Sequence, residues 1–301
     1  MINVVKLPCA ETLVIPLTTA LALLSAVFLG AAVVTSKFAL RTVDALRGTA
    51  IAIPSSMLAL LVVFLSTSGM QGVNAEAVVI FAIVGLCYPA LVALLRFYAI
   101  ARIGAAITSS ILATTTPLFA LAVVVLWLRE PIPGRALLAS LGVVSGIFII
   151  THRPRGQASG WSTWWLLVPF SAAAISGISQ VATKAGLQLW PNPLAAALVS
   201  YMMSTLAILL FLWSKSPMPA PRSWPGISLF VGTGILNGMG VLFLFAALNS
   251  GSVALVAPLV ASYPLVTLLL GGALLEEEKV TLRKLLGATL AIVSIAYLVS
   301  A

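Results

Sequence analysis

Long apolar runs separated by short polar clusters organise the whole chain. Ten such runs occupy residues 13–36, 45–65, 76–99, 105–128, 134–151, 163–184, 193–213, 226–248, 252–275 and 281–300. A helix of roughly 20 mainly apolar residues, rising about 1.5 Å per residue, crosses the ~30 Å hydrocarbon core of a bilayer. Each run therefore predicts one membrane-crossing helix. Barrel strands would instead alternate over ~10-residue segments, and these runs do not. The connections, such as STSGMQGVN, THRPRGQASGWS and SKSPMPAPRSWPG, are rich in Gly, Pro and Ser and read as turns. None is long enough for a soluble domain. The first run follows Lys6 and begins near Leu13; it is longer than the apolar core of a signal peptide, so an uncleaved first span is expected.

The runs also repeat. Lys37 in VVTSKFAL returns 147 positions later as Lys184 in QVATKAGL. The same offset pairs Gly30 with Gly177, Gly85 with Gly232, Gly104 with Gly251 and Pro117 with Pro264. One extra residue then enters, and Glu130 pairs with Glu278 and Leu137-Leu138 with Leu285-Leu286. The chain thus reads as two five-span units, residues 1–151 and 152–301. Five is odd, so the second unit enters the membrane from the opposite face. The expected fold is all-α and integral to the membrane: ten transmembrane helices as two inverted five-helix repeats around a central cavity. Inverted repeats are a transporter architecture, with the site at their interface near the midplane.

Composition narrows the class further. Hydrophobic residues make up 61% and charged residues 8%, against about 25% charged in soluble domains, which excludes a water-soluble globule. The net charge of +9 is scattered singly or in pairs between apolar runs, without the basic stripe that nucleic acid requires. Of the 16 Lys and Arg, twelve lie after odd-numbered spans and four on the other face. By the positive-inside rule this places both termini outside. With two cysteines (Cys9, Cys87), one histidine (His152) and dispersed acids, neither a disulfide framework nor a first-row metal site is expected, and no cofactor is called for.

Two stretches carry a family likeness. GAAITSSILATTTPLFALAVVVLWLREPI and GSVALVAPLVASYPLVTLLLGGALLEEEKV each have a small-residue start, a mid-span proline and an acidic exit, followed by an LLG-like helix. Together with spans 1 and 6 that end in Gly then Lys, they make the chain resemble the drug/metabolite transporter superfamily, in its ten-helix EamA-type branch. The resemblance implies a secondary transporter, often an exporter of amino acids or other small metabolites. It also implies that spans 1, 3, 4 and 6, 8, 9 surround the cavity, with spans 5 and 10 peripheral. It implies cytoplasmic termini, opposite to the charge count. Members often carry Trp-Gly-x-Asn in span 1; here the register holds Leu29-Gly30-Ala31-Ala32, and Ser176-Gly177-Ile178-Ser179 in the second half.

Several polar residues lie within the runs. Lys37 and Lys184 have two readings: snorkelling anchors facing a helix C-terminus, or cavity-mouth cations that attract substrate carboxylates. Arg96 in span 3 is matched by Phe243, an asymmetry that points to specialisation, although Arg96 too can snorkel. With Tyr88, it is a candidate for the cavity wall. Asn237 in GTGILNGMG, and Gln180 in span 6, serve either as helix glue or as substrate contacts. Thr115 precedes Pro117, and Ser262 and Tyr263 precede Pro264; each proline frees a carbonyl and kinks its helix, so both are candidate hinges. Gly142 and Gly146 form a GxxxG packing signal.

All seven acids fall at span ends or in loops. Proton-coupled export of cationic drugs calls for a carboxylate deep in a span, so neutral, zwitterionic or anionic substrates are favoured. No GxSxG, HExxH or P-loop occurs, and an enzyme is not expected. The reading is a secondary transporter of small metabolites, amino acids foremost, acting by alternating access in the inner (plasma) membrane. Its partners are the small-molecule substrate and membrane lipid, not nucleic acid, and a monomer is compatible with it. The alternatives are a phosphate-linked metabolite or nucleotide-sugar antiporter, and a non-transporting membrane scaffold.

Overall fold

A computed structural model describes residues 8–67, 72–128, 134–151, 162–213, 224–274 and 282–299. His152, Glu130 and Glu276, Glu277 and Glu278 lie outside them. The described residues form helices joined by short turns, without strands. Chain order gives α1 (Pro8–Ala39), α2 (Ala45–Ser66), α3 (Ala75–Gly85), α4 (Val92–Ile103), α5 (Ala105–Val123) and α6 (Gly134–Thr151) in the first half. The second half holds α7 (Leu167–Leu189), α8 (Pro193–Trp213), α9 (Trp224–Ser250), α10 (Val253–Val260), α11 (Tyr263–Leu274) and α12 (Leu282–Val299). Among the described residues, eight helical segments are long and apolar enough to cross a membrane. The apolar parts of α6 and α12, Leu137–Ile149 and Leu286–Tyr297, are shorter than that.

Two expected spans are discontinuous. The third passes from α3 through a wider-wound turn, Leu86–Leu91, into α4, and Tyr88 within it is extended (φ −134°, ψ 123°). Pro89 is the local cause: the residue before a proline is pushed out of the helical region. The ninth span breaks between α10 and α11. The matched prolines therefore act differently, since α5 runs unbroken through Pro117. The second half carries Pro258 as well as Pro264, so that span loses two amide donors within six residues, and α5 loses one.

The halves interlock rather than sit side by side. Helix α1 packs on α9, α10 and α11, while α7 packs on α3, α4 and α5. Helices α2 and α8 cover the opposite half's α9 and α3, and α6 pairs with α12. Small residues set these approaches, as lipid offers no hydrophobic force between helices and close packing must supply the attraction. A Cβ on Gly30 would lie 2.7 Å from Tyr263 O and Val266 Cβ; one on Gly177 would lie 2.9 Å from Thr116 O and 2.8 Å from Phe119 Cβ. These four partners are themselves 147 apart in pairs, so one contact is made twice. Gly142 and Gly146 fit closely against Ser294, Gly287 and Ala291 of α12, the packing role that the GxxxG signalled. Serine hydroxyls stitch the same seams: Ser25 Oγ donates to Gly240 O (2.7 Å), Ser56 Oγ to Gly234 O (2.6 Å) and Ser200 Oγ to Phe81 O (3.0 Å).

Candidate functional site

Between the halves lies a partly open cavity. The break in the third span presents Tyr88, and α4 adds Val92 and Arg96. Helix α5 contributes Leu112, Ala113 and Thr116, and α7 contributes Ser176 and Gln180. Leu29, Leu244, Ala257 and Val260 close it with apolar surface, and Tyr263 stands where α11 begins. Three pairs of lining residues are repeat partners: Leu29 with Ser176, Ala113 with Val260, and Thr116 with Tyr263. The cavity thus sits where the two halves meet on equal terms.

Arg96 is held from behind. Its Nη2 donates 3.1 Å to Asn237 Oδ1, and Asn237 Nδ2 donates 2.7 Å to the hydroxyl of Tyr201, itself fully buried. Three helices, α4, α9 and α8, thereby fix one guanidinium. Its Nε is buried without a hydrogen-bond partner among the described residues. No described Asp or Glu lines the cavity. Asp44 instead caps α2, accepting from Arg47 N at 3.0 Å, and Glu76 lies in the first turn of α3. A cation in a low-dielectric wall with no carboxylate beside it pays a large desolvation cost unless an anion arrives. Gln180 is 7% exposed, and its Oε1 has no hydrogen-bond partner among the described residues. Tyr263 OH donates 3.2 Å to Ser109 O, pinning the start of α11 to α5.

Of the residues singled out in the sequence, Tyr88, Arg96, Gln180 and Tyr263 meet on the cavity. Asn237 stands one layer back, as the support of Arg96. Thr115 and Ser262 do not line it; Ser262 Oγ turns to Leu259 O at 2.6 Å. The register would have chosen better. Thr115 and Ser262 are repeat partners on one face, whereas Thr116 and Tyr263 are partners on the cavity face. Ser176, one helical turn before Gln180, was legible by the same helical spacing. Tyr201 carried no such signal. Phe243, the counterpart of Arg96, stacks on Phe28 at 5.4 Å between ring centres.

Neither lysine lines the cavity. Lys184 Nζ donates to Leu248 O (2.7 Å) and Gly251 O (2.9 Å), capping the C-terminus of α9. Lys37 lies in the last turn of α1, without a hydrogen bond to the matching carbonyls of Ala101 and Gly104. Charge-assisted bonds to orphan C-terminal carbonyls contribute about 1.5–3 kcal/mol. Lys184→Met is therefore expected to lower the thermal unfolding midpoint in detergent well below that of Lys37→Met. Equal midpoints would remove the cap from the account.

Fold comparison and family agree with this geometry. A solved structure titled only "Crystal structure of protein" superposes with a TM-score of 0.73 at 15% identity, covering 93% of this chain and 94% of that one. No curated protein matches. The sequence pattern that defines the EamA-like transporter family matches twice, over residues 17–152 and 163–300, once on each half of the interlocked bundle. With both halves matched and a cavity between them, this chain belongs to the EamA-like transporter family.

Proposed function

We propose that this transporter carries amino acids with apolar or amphipathic side chains across the inner (plasma) membrane by alternating access. In this reading the chain makes ten crossings as two inverted repeats, residues 1–151 and 152–301, with α6 and α12 completing the set as short peripheral spans. The twofold-related contacts of Gly30 and Gly177 support the inversion, because an odd number of spans per repeat puts such an axis in the membrane plane. The observation that carries the substrate class is the cavity wall: apolar over most of its surface, one arginine, and no described acid. A guanidinium matches a carboxylate through paired N–H bonds, and the apolar wall receives the side chain. A doubly charged phosphate would recruit several cations, and the wall offers one.

The test is exchange in proteoliposomes loaded with one unlabelled compound at a time, following its labelled form. Leucine or phenylalanine is expected to exchange saturably, and hexose phosphates and nucleotide sugars are not. Exchange by a phosphorylated compound alone would replace this reading with phosphate-linked antiport. No exchange by any compound would favour a non-transporting scaffold.

A further inference from the structure

An amino acid brings an ammonium as well as a carboxylate, and no described carboxylate on the cavity wall is there to receive it. The backbone supplies acceptors instead. In an α-helix the carbonyl of residue i accepts from the amide of residue i+4, and a proline at i+4 leaves it without that donor. Pro117 thus opens the carbonyl of Ala113 within continuous α5; Val260 ends α10, so its carbonyl is one of that helix's unpaired C-terminal acceptors, and Pro264 offers no amide to close it. Both Ala113 and Val260 line the cavity, and they are repeat partners.

The coincidence is selective. Pro54, Pro89 and Pro258 also interrupt helices, but Ala50, Gly85 and Ala254, four residues before them, do not line the cavity. The carbonyl opened by Pro89 is already occupied, since Ser204 Oγ donates to Gly85 O. Around Val260 the nearby donors go elsewhere. The amides of Ala261, Ser262 and Leu265 bond to Ala257 O, Leu259 O and Ser262 O, and the Ser262 hydroxyl also turns to Leu259 O. Gln180 Oε1, buried and without a partner among the described residues, adds a third acceptor on the same wall. A primary ammonium has three donors.

We infer that the open carbonyls of Ala113 and Val260, together with Gln180 Oε1, form an ammonium subsite that makes this cavity selective for α-amino acids over their deaminated counterparts. The inference rests on the amino-acid reading above. Neutral acceptors suit this role, because they bind the ammonium without neutralising Arg96, which is left for the carboxylate. A bare carboxylate satisfies Arg96 but leaves three acceptors unpaired, the kind of mismatch that hydrogen-bonding sites reject strongly.

The experiment is competition against labelled leucine uptake by the wild-type protein in proteoliposomes. Unlabelled leucine is compared with 4-methylpentanoate, which lacks the amine, and with N,N,N-trimethyl-leucine, which keeps the positive charge but has no N–H. Both analogues are expected to need about 100-fold higher concentration than leucine, the equivalent of one or two charge-assisted bonds. Analogues that compete as well as leucine overturn the subsite while leaving the amino-acid reading intact. Absence of any leucine uptake overturns both. Pro117→Ala adds a second, independent readout, because α5 is continuous there and the new amide closes Ala113 O. It is expected to raise the KM for leucine and to shrink the preference for leucine over 4-methylpentanoate. A proline that served only as a hinge would shift both compounds alike, and that result would also sink the proposal.

Discussion

Arg96→Met is expected to reduce kcat/KM for amino-acid exchange by about 100-fold or more while leaving the protein folded. A charge-assisted pair with the substrate carboxylate contributes about 1.5–3 kcal/mol, and each ~1.4 kcal/mol is tenfold. The substitution also leaves Asn237 Oδ1 without the donor it has at 3.1 Å, and a buried unsatisfied acceptor costs about 1–3 kcal/mol more. Arg96→Lys keeps the charge but lacks the planar fork, so it is expected to fall between. Arg102 supplies a control: it stacks over Trp165 at 4.9 Å and does not line the cavity. Arg102→Gln should stay within about twofold of wild type, the usual range for a change at an exposed site. If Arg96→Met exchanged as fast as wild type, the carboxylate site would have to lie elsewhere.

The second large effect is steric. Gly30 and Gly177 let backbone and side-chain atoms of the opposite half approach to 2.7–2.9 Å of where a Cβ would stand. Backbone oxygen and nitrogen cannot swing aside, so the helices must separate. Gly30→Val and Gly177→Val are each expected to destabilise by about 1–3 kcal/mol or more and to stop transport, through loss of the contact between α1 and α11 or between α7 and α5. Because the two contacts are repeat partners, the two variants should behave alike. Gly232→Ala is the counterpart test: nothing lies within 4 Å of its Cβ position, and replacing a helical glycine there should be neutral or slightly stabilising. Thermal unfolding in detergent reads all three. A tolerated valine at either Gly30 or Gly177 would contradict the interlocked packing.

Much of this was legible in the chain because the bilayer leaves few options. Backbone groups in hydrocarbon must bond within their own segment, so apolar runs of sufficient length read directly as helices. The 147 offset placed Gly30 and Gly177, and both proved to be contact points. The break at Tyr88 was not foreseen, since the apolar run continues across it and only Pro89 marks it. The matched prolines differ in outcome: α5 continues across Pro117, whereas the span that carries both Pro258 and Pro264 parts. The Arg96–Asn237–Tyr201 chain joins residues from three helices far apart in sequence. No local spacing encodes such a meeting; only the packing of α4, α8 and α9 does. Lys184 reads differently in three dimensions for the same reason. Its position on α7 was clear, but its carbonyl partners sit at the end of α9.

The most direct measurement is uphill counterflow. Purified protein is reconstituted into vesicles holding millimolar unlabelled leucine, and labelled leucine is added outside at micromolar concentration. A carrier that turns one shared cavity alternately to either face must show a transient internal accumulation of label above the outside level, decaying as the unlabelled pool drains. The overshoot should vanish with Arg96→Met. A label that rises monotonically to equality, or never enters although Arg102→Gln and wild-type protein are folded in the vesicles, would contradict alternating access through this cavity.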